Sequence, residues 1–145
     1  MLNMIDSYGG GTVTESWKGY KTFNGSSMNH YSIGNTSRWF FEYAGGIKIT
    51  SPGFEGIRIK PCFFEEMGDC KVTYRTGTGI LSSEWVYTDK DGIFTWTVSV
   101  PKGTSARIIL PSGVEFTEGN AKAVYDITNA TRTFTVKKQA SHRRN

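Results

Sequence analysis

A carboxylate two residues from an indole, on a loop flanked by glycines, is the first arrangement in this chain that could do chemistry. The segment is Glu15-Ser16-Trp17-Lys18-Gly19-Tyr20, directly after Gly11-Thr12-Val13-Thr14. Trp and Tyr rings offer apolar faces to the C–H side of a pyranose, and a neighbouring carboxylate can activate water beside the anomeric carbon. A second segment, Ser27-Met28-Asn29-His30-Tyr31, puts an imidazole at an expected helix start, where it could hydrogen-bond a sugar hydroxyl. A plainer reading stands beside this one: Glu15 as a solvated loop carboxylate and His30 as a polar residue opening a helix. Isolated Glu-x-Trp pairs are common, so these residues alone favour the plainer reading.

Other chemistry-bearing groups carry less. Glu65-Glu66-Met67-Gly68-Asp69 lacks the ligand spacing of a calcium loop and reads as a solvated turn. Trp85 and Trp96 could form a carbohydrate-binding face, but they sit in alternating segments and are expected to pack in the core. Two cysteines, Cys62 and Cys70, are too few for a disulfide scaffold and read as small core residues in a reducing compartment. The Asn-x-Ser/Thr triplets at Asn24, Asn35 and Asn129 read as coincidence. No metal and no cofactor is expected.

The first chemical segments need an element to hold them. Met28, Tyr31, Asn35, Trp39 and Tyr43 recur at three- and four-residue steps, with Ile33, Thr36 or Ser37, Phe40 and Ala44 beside them. That pattern predicts a helix over about 27–44, capped by Ser26 or Ser27 and stopped by Gly45-Gly46. More than half of its circumference is apolar or weakly polar, so it wants neighbours on several sides. Gly34 inside it costs about 1 kcal/mol relative to Ala, which weakens the first turns.

From residue 54 the period changes to two. Ile57 and Ile59 alternate with Arg58 and Lys60, and Val72 shares a face with Tyr74. Leu81, Trp85 and Tyr87 share another if Ser83 points with them. Phe94, Trp96, Val98 and Val100 form the clearest strand, followed by Ala106, Ile108 and Leu110, then Phe134 and Val136. Turn signals separate these runs at Pro52-Gly53, Asp91-Gly92, Pro111 to Gly113 and elsewhere. The fold class expected is mainly β, an antiparallel β-sandwich of seven or eight strands after one helix. The expected organisation is a helical segment at 1–46, a sandwich at 47–138 and a basic tail at 139–145.

Composition sets the outer limits. The 145 residues hold 17 Lys and Arg against 13 Asp and Glu. Lys137, Lys138, Arg143 and Arg144 account for the whole net charge of +4, so the basic balance belongs to the last nine residues. That argues against a nucleic-acid-binding body. The longest apolar run, such as Trp39-Phe40-Phe41, is far short of the roughly 20 residues of a spanning helix. Nothing at the start reads as a leader, and the expected location is cytoplasmic.

The motifs, taken together, resemble a family. Glu15-Ser16-Trp17-x-Gly19-Tyr20, Ser27-Met28-Asn29-His30-Tyr31-x-x-Gly34, Trp39-x-x-x-Tyr43-x-x-Gly46-Ile47 and Pro52-Gly53-Phe54 look like the C-terminal end of bacterial α-L-rhamnosidases, glycoside hydrolase family 78. Ile57-Arg58-Ile59-Lys60-Pro61, Gly79-Ile80-Leu81-Ser82-Ser83-Glu84-Trp85, Val98-Ser99-Val100-Pro101-x-Gly103-Thr104 and Leu110-Pro111 continue the resemblance in order. The resemblance implies an (α/α)6 catalytic barrel followed by a C-terminal β-sandwich, with the helix here as the end of the barrel. It implies that Glu15 is the general base of an inverting hydrolysis, that His30 contacts the bound rhamnose, and that Trp17 serves as a packing or platform residue. Lys18 stands where the family often has Asp, and Tyr20 where it often has Trp.

Inversion needs an acid and a base about 6.5–9.5 Å apart, with room for water between them. The family's acid lies on the barrel upstream of this segment, and Glu42, Glu65, Glu66, Asp89 and Asp91 are on the wrong elements for it. A twelve-helix barrel takes roughly 200 residues, far more than precede this sandwich. The expectation is therefore an enzyme fragment that is inactive alone, with a rhamnose-containing glycoside as the substrate of the complete enzyme. The alternative is a non-catalytic sandwich module that binds carbohydrate or another protein. Tyr31, Trp39, Phe40 and Tyr43 are expected to support a homodimer or a docked partner.

Overall fold

Among the described residues, alternation of apolar and polar residues after Gly46 produces seven strands. Turns fall at the expected Pro52-Gly53, Gly77 to Gly79, Asp91-Gly92 and Pro111 to Gly113, whereas Pro101 to Gly103 lies inside a strand. The computed structural model describes residues 35–88, 91–117 and 124–139. Its strands are β1 (Ile47–Ser51), β2 (Gly56–Ile59), β3 (Asp69–Thr76), β4 (Gly79–Tyr87), β5 (Ile93–Ile109), β6 (Val114–Phe116) and β7 (Val124–Lys138). The chain divides into two units between Trp39 and Phe40, and all seven strands lie in the second, Phe40–Asn145. Glu15, Trp17, His30 and Tyr31 lie outside the described residues.

The expected helix is described only in its last part. Thr36–Trp39 forms one α-helical turn, and Phe40–Ala44 forms a wider π turn closed by Gly45 N–H donating to Phe40 C=O at 2.8 Å. Gly45 and Gly46 stop it, as the sequence predicts. Gly46 has φ +75, and a Cβ there would lie 2.1 Å from the Pro61 nitrogen. Only glycine fits this left-handed, crowded position.

All seven strands belong to one sheet, which folds back on itself because two strands are long and bent. Val100 of β5 pairs with Ala130 of β7, and Ser105 pairs with Thr128, so residues 101–104 face Asn129 alone. Pro101, Gly103 (φ +74) and Asn129 (φ 46) make this corner. Extra residues on one strand bend it and increase the local twist. The first half of β5 pairs with β4, and the second half pairs with β2. One arm is thus β3-β4-β5-β7-β6 and the other β1-β2-β5-β7, with β5 and β7 turning the corner between them.

Two expectations change here. Ala106 and Ile108 belong to the second half of β5, not to a separate strand, because the chain continues through the bulge with its inward parity kept. The sheet is also mixed: β2 and β5 run parallel at Arg58↔Arg107 and Ile59↔Ile108, whereas every other pair is antiparallel.

The two arms enclose one core. Ile47, Ile59 and Ile108 from one arm meet Leu81, Trp85, Phe94, Trp96 and Val136 from the other, all fully buried. Phe63, on the connection after β2, lies between them and packs against Trp85, Phe94 and Trp96 with ring centroids 5.9, 5.1 and 5.7 Å away. Edge-to-face and tilted pairs of this kind add about 0.5–1.5 kcal/mol each beyond burial. The outer face of the first arm is hydroxylated, with Thr97 bonded to Thr133 at 3.0 Å and Ser99 to Thr131 at 2.9 Å.

Candidate functional site

The helical end and the sheet are joined through carbonyl groups. The last carbonyls of a helix have no partner within the helix and must find one elsewhere. Here Tyr43 C=O accepts from Cys62 N–H at 2.8 Å, and Gly46 C=O accepts from Lys60 N–H at 2.9 Å. Ala44 C=O, fully buried, accepts from the Trp85 indole N–H at 2.7 Å. Donors from the β2–β3 connection and from β4 therefore satisfy the end of the π turn.

Side chains lock the same junction. Gly45 lies against Val72 of β3, where a Cβ would come within 2.3 Å of Val72 Cγ2. Phe41 packs on Tyr74 with centroids 4.8 Å apart, and Phe54 meets Tyr74 edge-on at 6.4 Å. The result is a stretch, residues 40–46, whose backbone direction is set by the sandwich. The segment carrying Glu15, Trp17 and His30 precedes it in sequence.

The two tryptophans are core residues. Trp85 and Trp96 face one another in register on β4 and β5 and are fully buried, which rules out a stacking platform. Each indole N–H has a designated acceptor: Ala44 C=O for Trp85, and Ser83 Oγ at 3.0 Å for Trp96. Ser83 does point inward, as the β4 alternation requires, and its hydroxyl prevents an orphaned donor in the core. No motif rule would single out Ser83 or Ala44. The available signal was parity for Ser83; for Ala44 there was none.

Among the described residues, the charged groups include two ion pairs and one acidic turn. Lys71 pairs with Glu84 at 2.7 Å and Arg107 with Asp126 at 3.1 Å, both on exposed outer faces. Glu65 and Glu66 form a short 3-10 turn, Glu65–Met67, near Asp91 at one end of the sandwich. Among the described residues no group of three or more His, Cys, Asp and Glu converges as metal ligands would.

Cys62 and Cys70 are free thiols, the first half-buried and the second buried. Burial, and to a lesser degree the negative charge of Asp69, push the Cys70 thiol above its ordinary range. Trp39, Phe40 and Tyr43 are exposed to 40, 45 and 57%. No helix among the described residues is long and apolar enough to cross a membrane.

Comparison with known proteins agrees with this architecture. The family description "Bacterial alpha-L-rhamnosidase C-terminal domain" matches residues 46–134. The chain is 34% identical over 110 residues to an α-L-rhamnosidase of Alteromonas sp. strain LOR, a match covering 72% of this chain and 12% of that protein. It is 27% identical over 144 residues to an α-L-rhamnosidase of Streptomyces avermitilis, covering 88% of this chain and 14% of that one. The crystal structure of the Streptomyces avermitilis enzyme, complexed with L-rhamnose, superposes with TM-score 0.67 and 28% identity over 92% of this chain and 14% of that one. The α-L-rhamnosidase from Dictyoglumus thermophilum gives TM-score 0.69 at 22% identity, over 93% of this chain and 17% of that one, a likeness of fold. The chain thus spans only 12–14% of the length of the first two relatives.

Proposed function

Because the chain belongs to the family of bacterial α-L-rhamnosidase C-terminal domains, we propose that it is the C-terminal portion of an inverting α-L-rhamnosidase, comprising the sandwich and the segment that carries the general base. In this reading Glu15 removes a proton from water as the water attacks the anomeric carbon of a terminal α-L-rhamnoside. His30 hydrogen-bonds the sugar, and Trp17 packs beside it. A second carboxyl, outside these 145 residues, protonates the leaving oxygen from the opposite face. With base and acid about 6.5–9.5 Å apart, attack and departure occur on opposite sides and the configuration inverts. The chain alone, lacking that acid, is inactive.

The observation that supports this reading best is the bond from Trp85 to Ala44. A sandwich that only bound ligand would have no need to stitch the carbonyls of a preceding helical turn into its own core. A sandwich that serves as the base of a larger catalytic domain would, because misplacement of a catalytic group by about 1 Å can cost roughly a hundredfold in rate. The sandwich's role in this reading is to terminate and orient that helical end.

The test is hydrolysis of 4-nitrophenyl α-L-rhamnopyranoside by the purified chain. No release of nitrophenol is expected. Turnover by this chain that disappears in Glu15→Gln would overturn the fragment reading, since it would show a complete acid–base pair within the 145 residues.

A further inference from the structure

At the end of the sandwich where β7 finishes, two adjoining open surface hollows share Lys138 and Gln139 as a common wall. One, of about 770 Å³, is polar and is lined by Glu65, Glu66, Tyr87, Asp91 and Lys137. The other, of about 510 Å³, is more apolar and is lined by Phe64, Pro111 and Val114 among others. Backbone bonds hold its walls in place: Tyr87 N–H to Gly68 C=O at 2.6 Å, Lys138 N–H to Gly92 C=O at 2.8 Å, and Gln139 N–H to Gly113 C=O at 2.8 Å. Two loops are thereby fastened to the end of β7 and a third to the end of β4.

Charges of both signs line the polar hollow without pairing. Among the described residues, Glu65, Glu66, Asp91 and Lys137 take part in no ion pair, although opposite signs line the same space. The Lys138 ammonium is held toward Phe63 C=O at 3.4 Å. An anion entering this space would meet three carboxylates, and a cation would meet two ammonium groups. The carboxylates also fail to converge as a metal site. A hydroxyl avoids both difficulties, because it donates to a carboxylate and accepts from an ammonium. The adjoining apolar wall of Phe64, Pro111 and Val114 supplies what the C–H face of a pyranose needs, and the Tyr87 ring flanks the polar side.

We propose that this end of the sandwich is a binding site for a neutral saccharide, with hydroxyls turned toward Glu65, Glu66, Asp91 and Lys137 and a C–H face on Phe64 and Pro111. The site lies within the sandwich and binds without hydrolysing, so it goes beyond the catalytic reading. Only the choice of probe rests on that reading.

The test is an amide-resonance titration of the full chain with the disaccharide α-L-rhamnosyl-(1→6)-D-glucose. Saturable shifts are expected at Gly68, Gly92 and Gly113, whose amides lie on the three loops. Glu66→Ala combined with Lys137→Ala, two exposed positions outside the core, is expected to weaken the binding roughly tenfold or more. Arg58→Ala, on the outer face of the other arm, leaves it unchanged. Absence of shifts up to the solubility limit of the sugar would overturn the proposal. So would binding that survives the double variant, or binding lost in Glu15→Gln, which would place the sugar on the upstream segment. Hydrolytic activity does not enter these readouts, so the proposal stands or falls apart from the catalytic one.

Discussion

The indole N–H of Trp85 donates to the carbonyl oxygen of Ala44 at 2.7 Å, in a fully buried contact that spans 41 residues of sequence. It joins the sheet interior to the end of the helical turn. A buried carbonyl that loses its donor costs about 1–3 kcal/mol, so this one bond couples the order of two elements.

Trp85→Phe keeps an aromatic ring in the core but removes the donor and some volume. Destabilisation of about 2–4 kcal/mol is expected in urea unfolding. Amide exchange at Gly45, whose N–H closes the π turn on Phe40, should accelerate more than exchange along β5. Equal acceleration at both places would mean that Trp85 supports the core without anchoring the turn.

Ser83→Ala leaves the Trp96 indole N–H buried without an acceptor, since Ser83 Oγ is its partner at 3.0 Å. A loss of about 1–3 kcal/mol is expected. Exchange at Gly45 should stay close to wild type, because this bond lies between β4 and β5 and does not touch the turn.

Glycine substitutions separate crowding from backbone strain. Gly46→Ala meets both a positive φ and the Pro61 backbone, and should prevent stable folding as seen by circular dichroism. Gly113→Ala has the same φ of +75 with nothing within 4 Å, and should cost only about 1–2 kcal/mol. Gly45→Ala collides with both Cγ2 and Cβ of Val72, at 2.3 and 2.6 Å, so Val72→Ala, which removes only the outer methyls, should restore little of the lost stability.

The two thiols should differ in reactivity and in their effect on pH dependence. Cys62 should react with a disulfide reagent in the folded chain, while Cys70 should react only on unfolding. The folded Cys70 thiol holds its proton above the ordinary value of 9.0. Its stabilising effect is therefore fully present below that value and is lost as pH rises through the raised one. Urea midpoints should fall above pH 9.0 in the wild type and fall less in Cys70→Ala.

Tyr43 exposes more than half of its side chain, while its carbonyl is tied to Cys62. Self-association through the exposed Phe40 and Tyr43 should appear as a concentration-dependent mass in light scattering. Tyr43→Ser should weaken it roughly tenfold without unfolding the chain, because the backbone bond is retained. A monodisperse monomer at high concentration would remove this expectation.

Much of the fold is legible in the residues themselves. Period-two alternation identifies the inward faces of β3, β4, β5 and the end of β7, including Ser83, because successive side chains on a strand must point to opposite sides. Gly45-Gly46 marks the helix stop, because no other residue fits there. The site is legible differently: the roles of Glu15, Trp17 and His30 come from family resemblance, and these residues lie outside the described part of the chain.

Alternation states which face a residue takes and says nothing about which strand lies beside it. The parallel pairing of β2 with β5, the run of β5 through residues 101–104, and the enclosure of Phe63 by two tryptophans and Phe94 were decided by the tertiary structure. So were the choice of Ala44 as acceptor for Trp85 and the gathering of Glu65, Tyr87, Asp91 and Lys137 around one hollow. The sequence by itself determined the faces and the stops, which depend on neighbours one to four residues away. Partners and hollows depend on groups tens of residues apart, and only chain packing brings those together.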